Sequence, residues 1–173
     1  MISRVGAWFA FILFGSCSVA FAAPQIGDTA PALVVRQLDG SEFNLASRRG
    51  TVVVINVWAT WCPPCRAEMP ALDAFYRHHR DEGVEVIGLS ADDLHDRKDV
   101  VKVMHDFSYP AALAAEATAN GFGVAKVLPI TYIVGADGII GAILKPGHST
   151  ITEETLVSAA VPLLPTAGRS APQ

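Results

Sequence analysis

The sequence predicts an α/β fold, a central mixed β-sheet flanked by helices with a β-hairpin ahead of it, on three observations. Residues 51–59 (TVVVINVWA) are an almost unbroken β-branched apolar run, as expected of a central strand buried on both faces. Apolar runs then alternate with segments whose apolar residues recur at helical spacing. Asp39-Gly40 and Ala136-Asp137-Gly138 each sit between two strand-like runs, which is a hairpin signal.

Taken in order, 33–36 and 41–45 are the strands of the first hairpin, and 51–59 is the central strand. A helix over 63–79 would place Met69, Leu72 and Phe75 or Tyr76 on one face, with a kink at Pro70. Residues 84–90 form a second strand, and 96–107 a second helix with Val100, Val103, Met104 and Phe107 on its apolar face. A short helix is expected over 113–120, stopped by Gly121 as a C-terminal cap. Residues 130–134 and 139–144 form the second hairpin. Thr150-x-x-Glu153 predicts a capping box for a last helix, which Pro162 ends.

The ends of the chain are of another kind. Residues 1–22 predict a secretory signal: Arg4, an uncharged apolar run from Val5 through Val19, then Ala20-Phe21-Ala22, an A-x-A cleavage pattern before Ala23. Two other readings stay open. The run is long enough to remain as an uncleaved membrane anchor, and Phe14-Gly15-Ser16-Cys17 resembles a lipoprotein processing box except for Phe14. Residues 23–164 then make one domain, of a size that buries a full core. The small, polar residues 165–173 predict a disordered tail. Loss of Arg4 takes the formal net charge from −4 to −5. With no basic run and no aromatic-basic interleaving, the sequence points away from nucleic acid as a partner.

Chemistry concentrates in Trp61-Cys62-Pro63-Pro64-Cys65. Residues i and i+3 in a first helical turn have Cα atoms roughly 5 to 6 Å apart, so this pair can open and close a disulfide with little backbone movement. Cys62, just outside the helix, meets unpaired N–H groups and the positive dipole end, which favour its thiolate. It is the expected attacking thiol, and the more buried Cys65 the resolving one. Pro63 and Pro64 suit the first turn because their fixed φ matches it. If the signal is cleaved Cys17 leaves with it, so the mature chain has one cysteine pair and cannot build a four-thiolate zinc site by itself. A merely structural bridge is the competing reading, but one closing so short a loop removes little unfolded-state entropy.

The order of elements resembles the thioredoxin fold, and named residues make the resemblance specific. The stretch Trp58-Ala59-Thr60-Trp61-Cys62-Pro63-Pro64-Cys65-Arg66-Ala67-Glu68-Met69-Pro70 is similar to the active-site signature of the TlpA/ResA branch of thioredoxin-like proteins, the exported thiol-disulfide reductases. Leu128-Pro129-Ile130-Thr131-Tyr132-Ile133-Val134, followed by Asp137-Gly138, resembles that branch's second signature, whose proline has a cis peptide bond facing the cysteines. Gly27-Asp28-x-Ala30-Pro31 extends the resemblance over nearly all of the mature chain.

The resemblance implies that Cys62 attacks, Cys65 resolves and Glu68 tunes thiol protonation. Trp61, Pro63, Pro64, Leu128 and Pro129 would meet the substrate, with Pro129 presenting backbone to an extended strand of it. A first-turn acid favoured by the helix dipole is the other reading of Glu68. Asn56 stands where thioredoxin has a buried aspartate, so proton removal from Cys65 falls to Glu68, water or the substrate. The implied partners are protein thiols and disulfides and a membrane electron donor of the DsbD/CcdA kind. The implied compartment is the periplasm, with an inner-membrane tether if residues 1–22 are retained. No metal or cofactor is expected beyond the redox-active Cys62/Cys65 pair. Cytochrome c or oxidase maturation is the implied client field, although Ile130 stands where many cytochrome c maturation members carry glutamate. The loop ahead of Pro129 also departs from the family, with Lys126-Val127 in place of its usual glycine.

Three rival functions fit the sequence less well. A peroxiredoxin needs Thr or Ser three residues before its reactive cysteine, and Ala59 is there. A copper chaperone could use both thiolates and His148, but such proteins space their cysteines one residue wider. In a cysteine hydrolase the neighbouring Cys65 would tend to oxidise the nucleophile. His78, His79, His95 and His105 fall in charged helical surroundings, which predicts solvated side chains.

Overall fold

The computed structural model describes residues 23–123, 125–147 and 151–165. The expected signal, Cys17, His148, Thr150 and most of the expected tail lie outside these residues. The first hairpin forms as predicted from β1 (Leu33–Gln37) and β2 (Glu42–Asn44), around Gly40 at a φ of 91° that favours glycine. The central strand is β3 (Val52–Trp58), buried at every position. Helix α1 (Pro63–His79) runs continuously through Pro70 and leads to β4 (Val84–Ser90), parallel to β3. Helix α2 (Arg97–Met104) is shorter than predicted, being preceded by a 3-10 turn over Leu94–Asp96.

The largest departure follows. Residues Ala111–Asn120 form a strand, β5, where the sequence predicts a helix over 113–120. Alanine has the highest helix propensity, and AALAAEATAN carries no β-branched run, so local preference points to helix. Two neighbours override it. β5 pairs in parallel with β4 and antiparallel with β1, inserting between them, and those ladders satisfy backbone groups that a helix would have satisfied internally.

The second hairpin, β6 (Ile130–Val134) and β7 (Ile140–Leu144), completes a seven-stranded mixed sheet in the order β2-β1-β5-β4-β3-β6-β7. The segment before β1 pairs with its edge: Gly27 N–H donates to the Ile140 carbonyl at 2.8 Å, and Ile140 N–H to the Asp28 carbonyl at 2.9 Å. Helix α3 (Glu153–Ala160) has a capping box different from the predicted one. Thr152 is the N-cap, and it exchanges hydrogen bonds with Thr155 rather than pairing with an acid. Glu153 falls at the first helical position, where its charge complements the dipole. The helix ends at Ala160, just before Pro162.

The period-2 alternation of β3 sends its side chains into two cores. Val52, Val54 and Trp58 face Met69, Leu72 and Phe75 of α1, together with Val100 of α2 and Leu156 of α3. Val53, Ile55 and Val57 face the other way, where Leu33, Val35 and Phe43 of the first hairpin close over them with Phe122. Gly88 in β4 lets Trp58 and Tyr109 pack directly on the backbone: an added Cβ would lie 3.0 Å from Trp58 Nε1 and 3.2 Å from Tyr109 Cε2. Gly88→Ala should therefore destabilise the fold by about 1–3 kcal/mol through overpacking, measured by denaturant unfolding.

Candidate active site

Strand β3 ends at Trp58, and the chain turns at once. Cys62 N–H donates to the Ala59 carbonyl at 3.1 Å, closing a four-residue turn at the carboxyl edge of the sheet, where open α/β folds bind their ligands. The turn throws Trp61 into solvent, 68% exposed. Cys62 is the N-cap of α1 in extended conformation, and its Sγ accepts the Cys65 N–H at 3.3 Å. Pro63 and Pro64 occupy the first helical positions, as predicted. Cys62 and Cys65 form a disulfide with Cα atoms 5.3 Å apart, which agrees with the spacing inferred from the sequence.

The two sulfurs are not equivalent. Cys65 is fully buried beneath the turn, whereas Cys62, 5% exposed, lines an open groove of about 520 Å³ with Trp61, Pro63, Pro64, Ala91 and Leu128. Lys126 and Ala125 complete the wall. The Leu128–Pro129 peptide is cis, as the resemblance implied. Leu128 reaches the groove wall, while Pro129 is buried and is not among the side chains that line it.

Glu68 lies one turn beyond Cys65 on the same helical face. It is half-buried, its Oε2 is buried without a hydrogen-bond partner, and burial raises its carboxyl from 4.5 to about 7. A bond from the Ile151 N–H opposes that rise and ties Glu68 to the segment entering α3. Glu68 lies beyond the first turn of α1, which carries no acid. Asn56 lies beneath the same face of the sheet: its Nδ2 donates to Thr131 Oγ1 at 2.9 Å, and its buried Oδ1 has no partner.

Asp92 escaped the sequence reading. It is almost fully buried just past β4 and accepts from Thr60 N–H at 2.9 Å and from Thr60 Oγ1 at 2.7 Å, which places it against the active-site turn. The signal that could have found it is an acid directly after a strand that runs parallel to the cysteine-bearing one, at the same sheet edge. The expected solvation holds for His78, His95 and His105. His79 departs from it: its ring lies 4.9 Å from that of Phe75, and its Nδ1 meets Glu82 Oε2 at 2.7 Å, because the end of α1 folds back on the 3-10 turn that follows. Among the described residues no helix is long and apolar enough to cross a membrane.

Residues 26–143 match the AhpC/TSA family. The thiol-disulfide oxidoreductase ResA of Bacillus cereus strain ZK / E33L is 36% identical over 115 residues, which is 66% of this chain and 66% of that protein's own length. ResA of Geobacillus thermodenitrificans strain NG80-2 is 31% identical over 137 residues, 78% of this chain and 75% of its own. The crystal structure of a thiol:disulfide interchange protein, a thioredoxin family protein from Chlorobium tepidum TLS, covers 80% of this chain and 97% of its own with a TM-score of 0.61. At 23% identity that likeness shows the fold. The chain thus has a thioredoxin-like fold and belongs to the AhpC/TSA family, in the company of the ResA thiol-disulfide oxidoreductases.

Proposed function

We propose that this chain is an exported protein-disulfide reductase in which Cys62 attacks and Cys65 resolves. The observation that carries the reading is the asymmetry of the pair, since only Cys62 opens onto the groove while Cys65 is sealed beneath it. In the reduced protein the Cys62 thiolate attacks one sulfur of a client disulfide. An intermolecular disulfide forms, and the client's other sulfur leaves as a thiolate that takes up a proton. Cys65 gives up its proton, with Glu68 as the acceptor nearest in sequence, and attacks Cys62 Sγ. The Cys62–Cys65 bond forms, the second client thiolate departs, and two electrons have passed to the client.

The groove formed with Trp61, Pro63, Pro64 and Leu128 supports recognition of extended polypeptide, with the adjoining Pro129 shaping the Leu128 backbone. A dithiol donor of the DsbD/CcdA kind in the membrane would return the pair to the reduced state. Export rests on the signal pattern of residues 1–22, which place the protein in the periplasm when cleaved and tether it to the inner membrane when kept. Proteins matured in cytochrome c or oxidase assembly are the clients that the family resemblance suggests.

Pro63-Pro64 offers no imidazole to stabilise the thiolate strongly, which favours a reducing couple. Equilibration with glutathione should place the couple closer to the roughly −270 mV of thioredoxin than to the roughly −120 mV of DsbA. A value near the latter would reverse the direction. The reduced protein should also reduce insulin, while peroxide consumption stays at background because Ala59 offers no hydroxyl three residues before Cys62.

A further inference from the structure

The active-site turn is held from outside the motif by one buried carboxylate. Asp92 Oδ2 accepts from Thr60 N–H at 2.9 Å and Oδ1 from Thr60 Oγ1 at 2.7 Å. Ser90 Oγ donates to Oδ2 at 2.6 Å and accepts the Asp92 N–H at 3.1 Å. Asp92 is 3% exposed, so these bonds form away from competing water. Thr60 is the second residue of the turn that Cys62 closes on Ala59. Ala91 N–H also donates to the Trp58 carbonyl at 2.7 Å, so the segment bearing Asp92 is already registered against the end of β3.

We propose that Asp92 is a positioning residue: by gripping Thr60 it holds the Ala59–Cys62 turn so that Cys62 stays within bonding reach of Cys65. This rests on the thiol-disulfide exchange reading above and deepens it. Cys65 lies inside α1 and the core, whereas Cys62 is joined to the helix only as its cap, its carbonyl accepting the Arg66 N–H at 3.2 Å, so the freedom that separates the two sulfurs after reduction lies on the turn side of Cys62. Clamping that turn raises the effective concentration of one thiol at the other. A higher effective concentration favours the internal disulfide and so makes the dithiol the better reductant. It also speeds the step in which Cys65 displaces the client from Cys62. In that step the Cys65–Cys62 bond forms, the Cys62–client bond breaks, and the client sulfur leaves with the electron pair and takes up a proton.

The test needs no client. Parent, Asp92→Asn, Thr60→Val and Thr60→Ser are equilibrated with reduced and oxidised glutathione, and the fraction of internal disulfide is read by thiol alkylation and mass. Asp92→Asn and Thr60→Val should each weaken the internal disulfide about tenfold, equivalent to about 30 mV toward the oxidising side for a two-electron couple. The double variant should shift no further than Asp92→Asn alone, because the Thr60 Oγ1 bond that Thr60→Val removes is one of the two that Asp92→Asn weakens. Thr60→Ser, which keeps both donors, should match the parent. Melting temperatures measured alongside identify variants that fold. If Asp92→Asn does not fold, Thr60→Val decides. Folded variants that melt lower but equilibrate within twofold of the parent would make the network a stability feature only and overturn the proposal. A parent whose pair exchanges with glutathione not at all would instead overturn the exchange reading itself.

Discussion

Cys65→Ala protein, offered disulfide-containing clients, will accumulate mixed disulfides through Cys62, while Cys62→Ala protein will accumulate none. Both variants should lose essentially all turnover, because each member of the pair completes a step that the other begins. The difference in trapping follows from position. Cys62 caps α1 at the groove wall, and its sulfur receives the Cys65 N–H, a contact that also favours the thiolate. Cys65 is sealed beneath the turn and has no path to a bulky client disulfide. Non-reducing gels of an export-competent cell extract, followed by mass spectrometry of the captured adducts, read the outcome. Adducts on Cys65 in the Cys62→Ala protein would reverse the assignment of roles.

The second large effect belongs to Glu68. Burial raises its folded-state carboxyl from 4.5 to about 7. Between those limits the unfolded chain has released this proton and the folded chain keeps it, so the folded state binds more protons and stability falls as pH rises. Above about pH 7 the cost is complete, and below about pH 4 it vanishes. Glu68→Gln carries no such charge. It should therefore be more stable than the parent by about 1 kcal/mol at about pH 8, a figure discounted for the half-exposed side chain, and nearly equal to it at about pH 4. Denaturant unfolding at the two pH values checks this.

Exchange should respond in the opposite direction. A carboxylate that titrates near neutrality, one turn from Cys65, is matched to accepting that thiol's proton. In Glu68→Gln, turnover above about pH 7 should fall about tenfold, and the inflection near pH 7 should disappear from the pH profile. A more stable variant with unchanged exchange would leave Glu68 as a buried acid without a part in proton transfer.

Much of this was legible in the chain because the signals were local. Asp39-Gly40 and Asp137-Gly138 mark hairpins since glycine takes the left-handed conformation at Gly40 and Gly138, with φ of 91° and 76°. The β-branched run of β3 announces a strand buried on both faces, and Cys62-Pro63-Pro64-Cys65 states a helix start and a redox pair together. β5 was not legible, because its alanines favour a helix and only pairing with β4 and β1 makes it a strand. The capping box of α3 was misplaced because Thr150 and Thr152 both precede acids, and sequence alone does not say which hydroxyl caps the helix.

The chemistry of the site, then, was determined by sequence alone: two thiols three residues apart at a helix start carry that information in their spacing and nowhere else. Which residues wall the groove beside Cys62, how far Glu68 is withdrawn from water and what holds the turn were decided by tertiary structure. Those properties depend on burial and on partners remote in sequence, such as Leu128 across the groove, Ile151 against Glu68 and Asp92 against Thr60. No local pattern encodes them, since each arises only when the sheet brings its carboxyl-edge loops together.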